Sequence, residues 1–118
     1  MAARIRPGVP PHLALIVSDR PATAVGFFTT NRVAAAPVQV GRERVAAGLL
    51  QAIVVNSGNA NAFTGARGLR DARAMTAQVA RRLGVPEELV LPSSTGRIGV
   101  PLPIERVREG IRAACEVL

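Results

Sequence analysis

Lysine, tryptophan and tyrosine are all missing from this 118-residue chain, and cysteine and histidine occur once each, as Cys115 and His12. Without lysine, no Schiff base can form on the chain, and the lysine-bearing phosphate loop of nucleotide-binding proteins is excluded. One cysteine excludes an internal disulfide, and one cysteine with one histidine rules out a His/Cys zinc cluster. No metal and no resident cofactor is expected. Long apolar runs are lacking too: the longest nearly apolar stretch, residues 46–55, is far below the roughly 20 residues of a spanning helix. The opening MAARIRPGVPP has two arginines but no apolar stretch behind them, unlike a signal peptide. A cytoplasmic protein without a membrane partner is the expectation.

What the chain has instead is arginine. All 15 basic residues are arginine, against eight acids, for a formal charge of +7. Such a balance fits nucleic acid, an acidic substrate or an acidic partner chain. Base stacking needs aromatic rings, and only Phe27, Phe28 and Phe63 are available. The arginines are also spread as singles and pairs rather than gathered in a basic block. Nucleic acid is therefore not expected as a partner, and a solvated arginine face is the commoner explanation. With 48% hydrophobic residues and a mean hydropathy of +0.25, 118 residues make one domain or part of one. That is enough for a core but short for an enzyme with its own substrate pocket.

Residues 1–11 carry three prolines and a glycine and read as an irregular lead-in. Residues 12–18 (HLALIVS) form an apolar run of strand length and residues 24–30 (AVGFFTT) a second, separated by the turn-rich DRPAT. Two strands so closely linked are most simply antiparallel. Residues 37–49 are ambiguous: Pro37 fits the first position of a helix with Val38, Val45 and Leu49 on its face, whereas Val38, Gln39 and Val40 alternate like a strand. A short helix is favoured.

Residues 51–55 (QAIVV) predict a buried strand. The clearest helix follows over residues 67–83, with Leu69, Ala72, Met75, Val79, Ala80 and Leu83 on one face. Gly84 stands where a left-handed terminating residue is wanted, and Pro86 prevents continuation. A third strand is expected around residues 89–91. After Pro101 and Pro103, a last helix runs Ile104, Val107, Ile111, Ala114, Cys115 and Leu118 down one stripe. No stop signal closes it, and an end on an apolar stripe position suggests a chain cut short. Repeats, low-complexity tracts and linkers are absent.

Two polar segments stand where strands are expected to end: NSGNANAFTG at residues 56–65 and SSTGRIG at residues 93–99. In the first, three asparagines and two glycines are accounted for by turn chemistry and helix capping, since both residue types tolerate positive φ. The second offers three hydroxyls followed by a glycine whose amide can approach a ligand closely. A hydroxyl donor beside a free amide is what a developing oxyanion needs, although Ser/Thr/Gly turns are common. Elsewhere the plain explanations hold. Cys115 sits on an apolar stripe without an activating base, His12 opens a strand with no acid before Asp19, and Glu87 and Glu88 read as solvated.

The succession LALIVSD (residues 13–19), GFFTTNRVAAAPV (26–38), AIVVNSGNANAFTG (52–65), GLRDARAM (68–75) and SSTGRIGVPLP (93–103) resembles the bifunctional ornithine acetyltransferase/N-acetylglutamate synthase family. The resemblance covers about residues 12–112, in collinear order. It implies a partial α/β sandwich in which a mixed sheet is packed by helices, with residues 1–118 forming a single incomplete domain, the N-terminal part of an α chain. In that family the precursor cleaves itself before a threonine, which becomes both the nucleophile and the site of acetylation. Acetyl passes from N-acetylornithine to glutamate in the arginine pathway, and some members also accept acetyl-CoA.

By that resemblance the oxyanion hole falls on Thr95, through its hydroxyl, and Gly96, through its amide. The asparagine segment matches the family signature and is expected to act as scaffold near the site. The glycine-rich cleavage segment, its lysine and the nucleophilic threonine are absent from these 118 residues. The implied partners are therefore the remainder of the α chain and the β chain carrying the threonine, joined in a hetero-oligomer, and the chain alone is expected to be inactive. The alternative is a non-catalytic scaffold or interaction fragment of the same fold.

Overall fold

In the computed structural model, which describes residues 3–7 and 12–118, four strands form one sheet in the order β1-β2-β3-β4. The strands are β1 (Ala3–Pro7), β2 (Leu13–Thr23), β3 (Leu49–Asn59) and β4 (Val90–Arg97). The helices are α1 (Ala36–Val45), α2 (Gly65–Leu83) and α3 (Ile104–Glu116), with a single 3-10 turn at Glu87–Leu89. The first three strands are antiparallel neighbours, and β3 pairs with β4 in parallel, with α2 as the crossover. The sheet is mixed and packed by helices, an α/β fold as the sequence implies.

The core follows from strand alternation. Leu13 and Leu15 of β2, Ala52 and Val54 of β3, and Val90 of β4 are buried on one sheet face. Met75, Val79 and Ala80 of α2 and Val107, Ile111 and Ala114 of α3 close over them. Helix α2 ends as its sequence demands: Gly84 has φ 67° and ψ 34°, and its amide donates to the Ala80 carbonyl. Helix α1 packs through Ala36 and Val40 on Ala72 and Leu69 of α2. Arg44 of α1, its side chain 12% exposed, reaches Glu87 at 2.9 Å and Thr76 at 3.3 Å, tying α1 to α2 and the 3-10 turn. Glu87, expected to be solvated, is thus a partner in a half-buried ion pair.

Three expectations are corrected. Residues 24–30 form no strand, because both edges of β2 are taken, one by β1 and the other by β3. The apolar residues there serve other ends: the Phe28 ring lies against Gly26 and Gly41, with the Arg42 guanidinium 5.9 Å from its centre, while Phe27 is exposed. The residues read as the turn between those two strands, 19–23, belong to β2, which continues past a register shift between Val17 and Ala22. Residues 3–7 of the expected lead-in are β1, an edge strand where proline is tolerated, with Ala3 opposite Ser18 and Pro7 opposite Ala14. The rest of the lead-in, residues 1, 2 and 8–11, lies outside the described residues.

Candidate active site at the ends of β3 and β4

Both polar segments begin as strand. Strand β3 runs on to Asn59 and β4 to Arg97, pairing Asn56 with Ser94, Ser57 with Thr95, Gly58 with Gly96 and Asn59 with Arg97. The parallel ladder therefore carries the two sequence motifs side by side, where open α/β sheets place their ligands. Gly58 has φ 103° and Gly96 φ 131°, backbone that side chains rarely adopt. A Cβ on Gly96 would stand 2.5 Å from the Asn59 nitrogen. Only glycine lets the two backbones come so close.

The asparagines hold this ladder end in place. Asn56, buried beside Ala52 and Val54, accepts from Ser94 Oγ at 2.5 Å and donates to the Asn59 carbonyl at 2.8 Å. Asn59 Nδ2 donates to the carbonyls of Val100 and Pro101, at 2.9 and 3.2 Å, and its Oδ1 accepts from the Asn61 amide at 2.8 Å. Asn61, fully buried with φ 48°, donates to the Gly68 carbonyl at 2.9 Å and accepts from Thr64 Oγ1 at 2.7 Å. A relay of side-chain amides thus runs from β4 through β3 to the first turn of α2. Each buried amide is paired, as burial requires. The sequence read these residues as turn formers. Their tertiary partners, up to 42 residues away, were not visible there.

Thr95 and Gly96 stand exposed on the last turn of this ladder. Ser94 faces the helices, where it meets Asn56, so strand alternation projects Thr95 from the opposite face of the sheet. Among the described residues no hydrogen-bond partner occupies the Thr95 hydroxyl. No described residue competes with a ligand for it.

A cleft of about 660 Å³ lies beside the ladder end, on the helical side, between β2, β3 and the start of α3. Leu13, Val100 and Leu102 give it apolar walls, and Arg97 and Arg106 set cationic groups in it, beside His12 and against Glu109. Thr95 and Gly96 do not line it. The two site residues inferred from resemblance are adjacent to each other and next to the cleft through Arg97, but they look out on the other side. Arg97 and Arg106 carried no signal in the sequence beyond their charge.

Two other titratable groups are explained by packing. Burial pushes the Asp71 carboxyl up from its ordinary value, against the opposing pull of Arg67, Arg70 and Arg108. Arg67 Nε is 3.7 Å from Asp71 Oδ2, and that oxygen accepts no hydrogen bond. Burial also raises the Cys115 thiol, and Arg82 only partly offsets it. A half-buried thiol held protonated is a poor nucleophile. Among the described residues no group of His, Cys, Asp and Glu side chains could hold a metal ion, and no helix is long and apolar enough to cross a membrane.

Comparison with known proteins places the whole chain. A sequence model of the ArgJ family matches residues 1–118. The chain is 59% identical over 99 residues to the arginine biosynthesis bifunctional protein ArgJ of Geobacter sulfurreducens, covering 84% of this chain and 25% of that protein. It is 50% identical over 117 residues to the protein of the same name from Syntrophotalea carbinolica, covering 99% of this chain and 30% of that protein. The chain spans about a quarter of the length of most of the curated relatives it matches. Among solved structures it is similar to ArgJ of Bacillus halodurans, with a TM-score of 0.83 and 47% identity over 86% of this chain and 53% of that one. It is similar also to ornithine acetyltransferase of Mycobacterium tuberculosis complexed with ornithine, with a TM-score of 0.86 and 36% identity over 89% of this chain and 57% of that one.

Proposed function

The chain belongs to the ArgJ family, and from that premise we propose that it forms the oxyanion side of an acetyltransfer site whose nucleophile lies on another part of the whole protein. The reaction is transfer of acetyl from N-acetylornithine to glutamate, in the arginine pathway. A threonine hydroxyl outside these residues attacks the acetyl carbonyl carbon, and the carbonyl oxygen becomes an oxyanion. The Thr95 hydroxyl and Gly96 amide donate to it. Collapse of the tetrahedral centre breaks the bond to the ornithine nitrogen, which leaves with a proton, and acetyl stays on the threonine. Glutamate's amino group then attacks the acetyl-threonine through the same oxyanion geometry, restoring the free hydroxyl. Acetyl-CoA is a second candidate acetyl donor for the same acyl-enzyme, and the whole protein acts as a cytoplasmic hetero-oligomer of α and β chains.

The observation that carries this function is the unpartnered Thr95 hydroxyl beside Gly96, on a strand end fixed by the Asn56–Asn59–Asn61 relay. Preorganised donors need no reorganisation when charge develops, and one such donor is worth on the order of 3 kcal/mol. The test is acetyl exchange between N-acetylornithine and glutamate, with this chain supplied with the downstream part of an ArgJ relative. Exchange that needs both parts is expected. No exchange from the combined parts, once binding between them is established, removes the function.

One observation favours a second function. Thr95 and Gly96 lie outside the cleft, as fits a fragment that serves as scaffold and performs no chemistry. In that case the parts associate and substitution of Thr95 leaves turnover as it was.

A further inference from the structure

Phe63 is strained and exposed at once. Its φ is 57°, a left-handed conformation disfavoured for a bulky residue, and it is 73% exposed. In the isolated chain both features are unfavourable. The turn that presents it is nevertheless fixed: Asn61 and Thr64, on either side, are hydrogen-bonded to each other and Asn61 to the Gly68 carbonyl. A Cβ on Gly68 would fall 2.6 Å from Asn61 Oδ1, so the entry to α2 is packed without slack.

The same turn runs beside the segment that follows Thr95. The Ala60 amide donates to the Arg97 carbonyl at 2.9 Å, and the Gly99 amide to the Ala62 carbonyl at 2.8 Å. These bonds join the backbone next to Phe63 to the stretch that carries Ile98, 67% exposed, and Val100, 39% exposed. Arg97, exposed between them, has no acidic partner among the described residues. Large apolar side chains held rigidly around an unpaired cation have the makeup of an interface core with a charged rim.

We propose that Phe63, Ile98 and Val100 form the docking surface for the polypeptide that corresponds to the downstream part of ArgJ proteins, with a carboxylate of that polypeptide meeting Arg97. Three observations select this occupant. The aligned stretch is only about a quarter of those relatives, so in them a much longer polypeptide accompanies it. A chain with a formal charge of +7 favours an acidic complement. Arg97, Ile98 and Val100 also follow Thr95 closely in the chain, and this last point rests on the function proposed above: a nucleophile served by Thr95 has to be carried in on a segment that passes over its neighbours. The rigid presentation of Phe63 lowers the ordering cost of that contact.

The test is calorimetric titration of the 118-residue chain with the separately prepared downstream part of Geobacter sulfurreducens ArgJ. The native chain is expected to bind, and Phe63→Ser and Ile98→Ser each to weaken binding at least tenfold while unfolding at the native temperature or above. Arg97→Gln should weaken it less and flatten its salt dependence. Thr95→Ala should bind as the native chain does, which separates this surface from the acetyltransfer function. Absence of native binding, or Phe63→Ser and Ile98→Ser binding like the native chain, overturns the proposal. So does loss of self-association by those variants in sedimentation with no change in titration, which would assign the surface to a second copy of the chain.

Discussion

Gly96 lies beside Gly58 across the parallel β3–β4 ladder, so close that a Cβ on Gly96 would stand 2.3 Å from the Gly58 carbonyl carbon. Both glycines have positive φ, but a Cβ on Gly58 would meet nothing within 4 Å. The two positions thus separate backbone strain from steric overlap. Gly58→Ala is expected to cost about 1 kcal/mol of stability, from strain alone. Gly96→Ala should cost well over about 2 kcal/mol, because backbone must also move. Urea unfolding of the two variants checks this, and equal midpoints would show that the ladder end yields freely.

Asn61 supports the site from beneath. Asn61→Ala removes the donor to the Gly68 carbonyl and the acceptor for Thr64, at a cost of about 1–3 kcal/mol. Asn61→Asp keeps the acceptor but turns a carboxylate oxygen toward the Gly68 carbonyl, and is expected to be at least as damaging. Thermal unfolding of both variants reads the difference. An Asp variant as stable as the native chain would mean that the Gly68 contact contributes nothing.

Asp71 imposes a pH dependence of definite sign. Its folded pKa is raised above the ordinary value of 3.8, chiefly by burial. Its contribution to stability is therefore fully present below about pH 3.8 and is lost as pH rises through the raised folded value. Asp71→Asn is neutral throughout and should gain on the native chain between pH 3.5 and pH 7. Denaturant unfolding of the pair at both pH values measures this gain. A difference that stays constant, or that favours the native chain at pH 7, would mean that Arg67, Arg70 and Arg108 outweigh the burial.

Much of the fold was legible because its signals are local. The stripe from Leu69 to Leu83, the stop at Gly84 and Pro86, and the apolar run before Asn56 each specify their element within a few residues. The parts that were not legible depend on who occupies a sheet edge. Residues 24–30 have the composition of a strand but do not pair with β2, whose two edges are taken by β1 and β3, whereas residues 3–7, with two arginines and a proline, do join the sheet. The two polar motifs were legible as strand-end segments and not in their form. Asn, Ser and Gly are turn formers by propensity, yet residues 56–59 and 93–97 stay paired in the ladder, where Asn56 and Ser94 supply across it what apolar packing supplies earlier. The cleft with Arg97 and Arg106 depends on bringing together β3, β4 and α3, a convergence no single stretch of sequence carries.

The oxyanion role proposed for Thr95 is measured most directly by the acetyl-exchange rate of Thr95→Ala, Thr95→Val and Thr95→Ser in the assembled protein. The Thr95 side chain is exposed and its hydroxyl hydrogen-bonds no described residue, so its substitution should leave stability unchanged. Loss of the hydroxyl in the Ala and Val variants is expected to lower kcat on the order of 10²–10³-fold, with Ser, which keeps the hydroxyl, retaining most of the rate. Turnover in Thr95→Ala and Thr95→Val equal to that of the native protein would contradict the assignment.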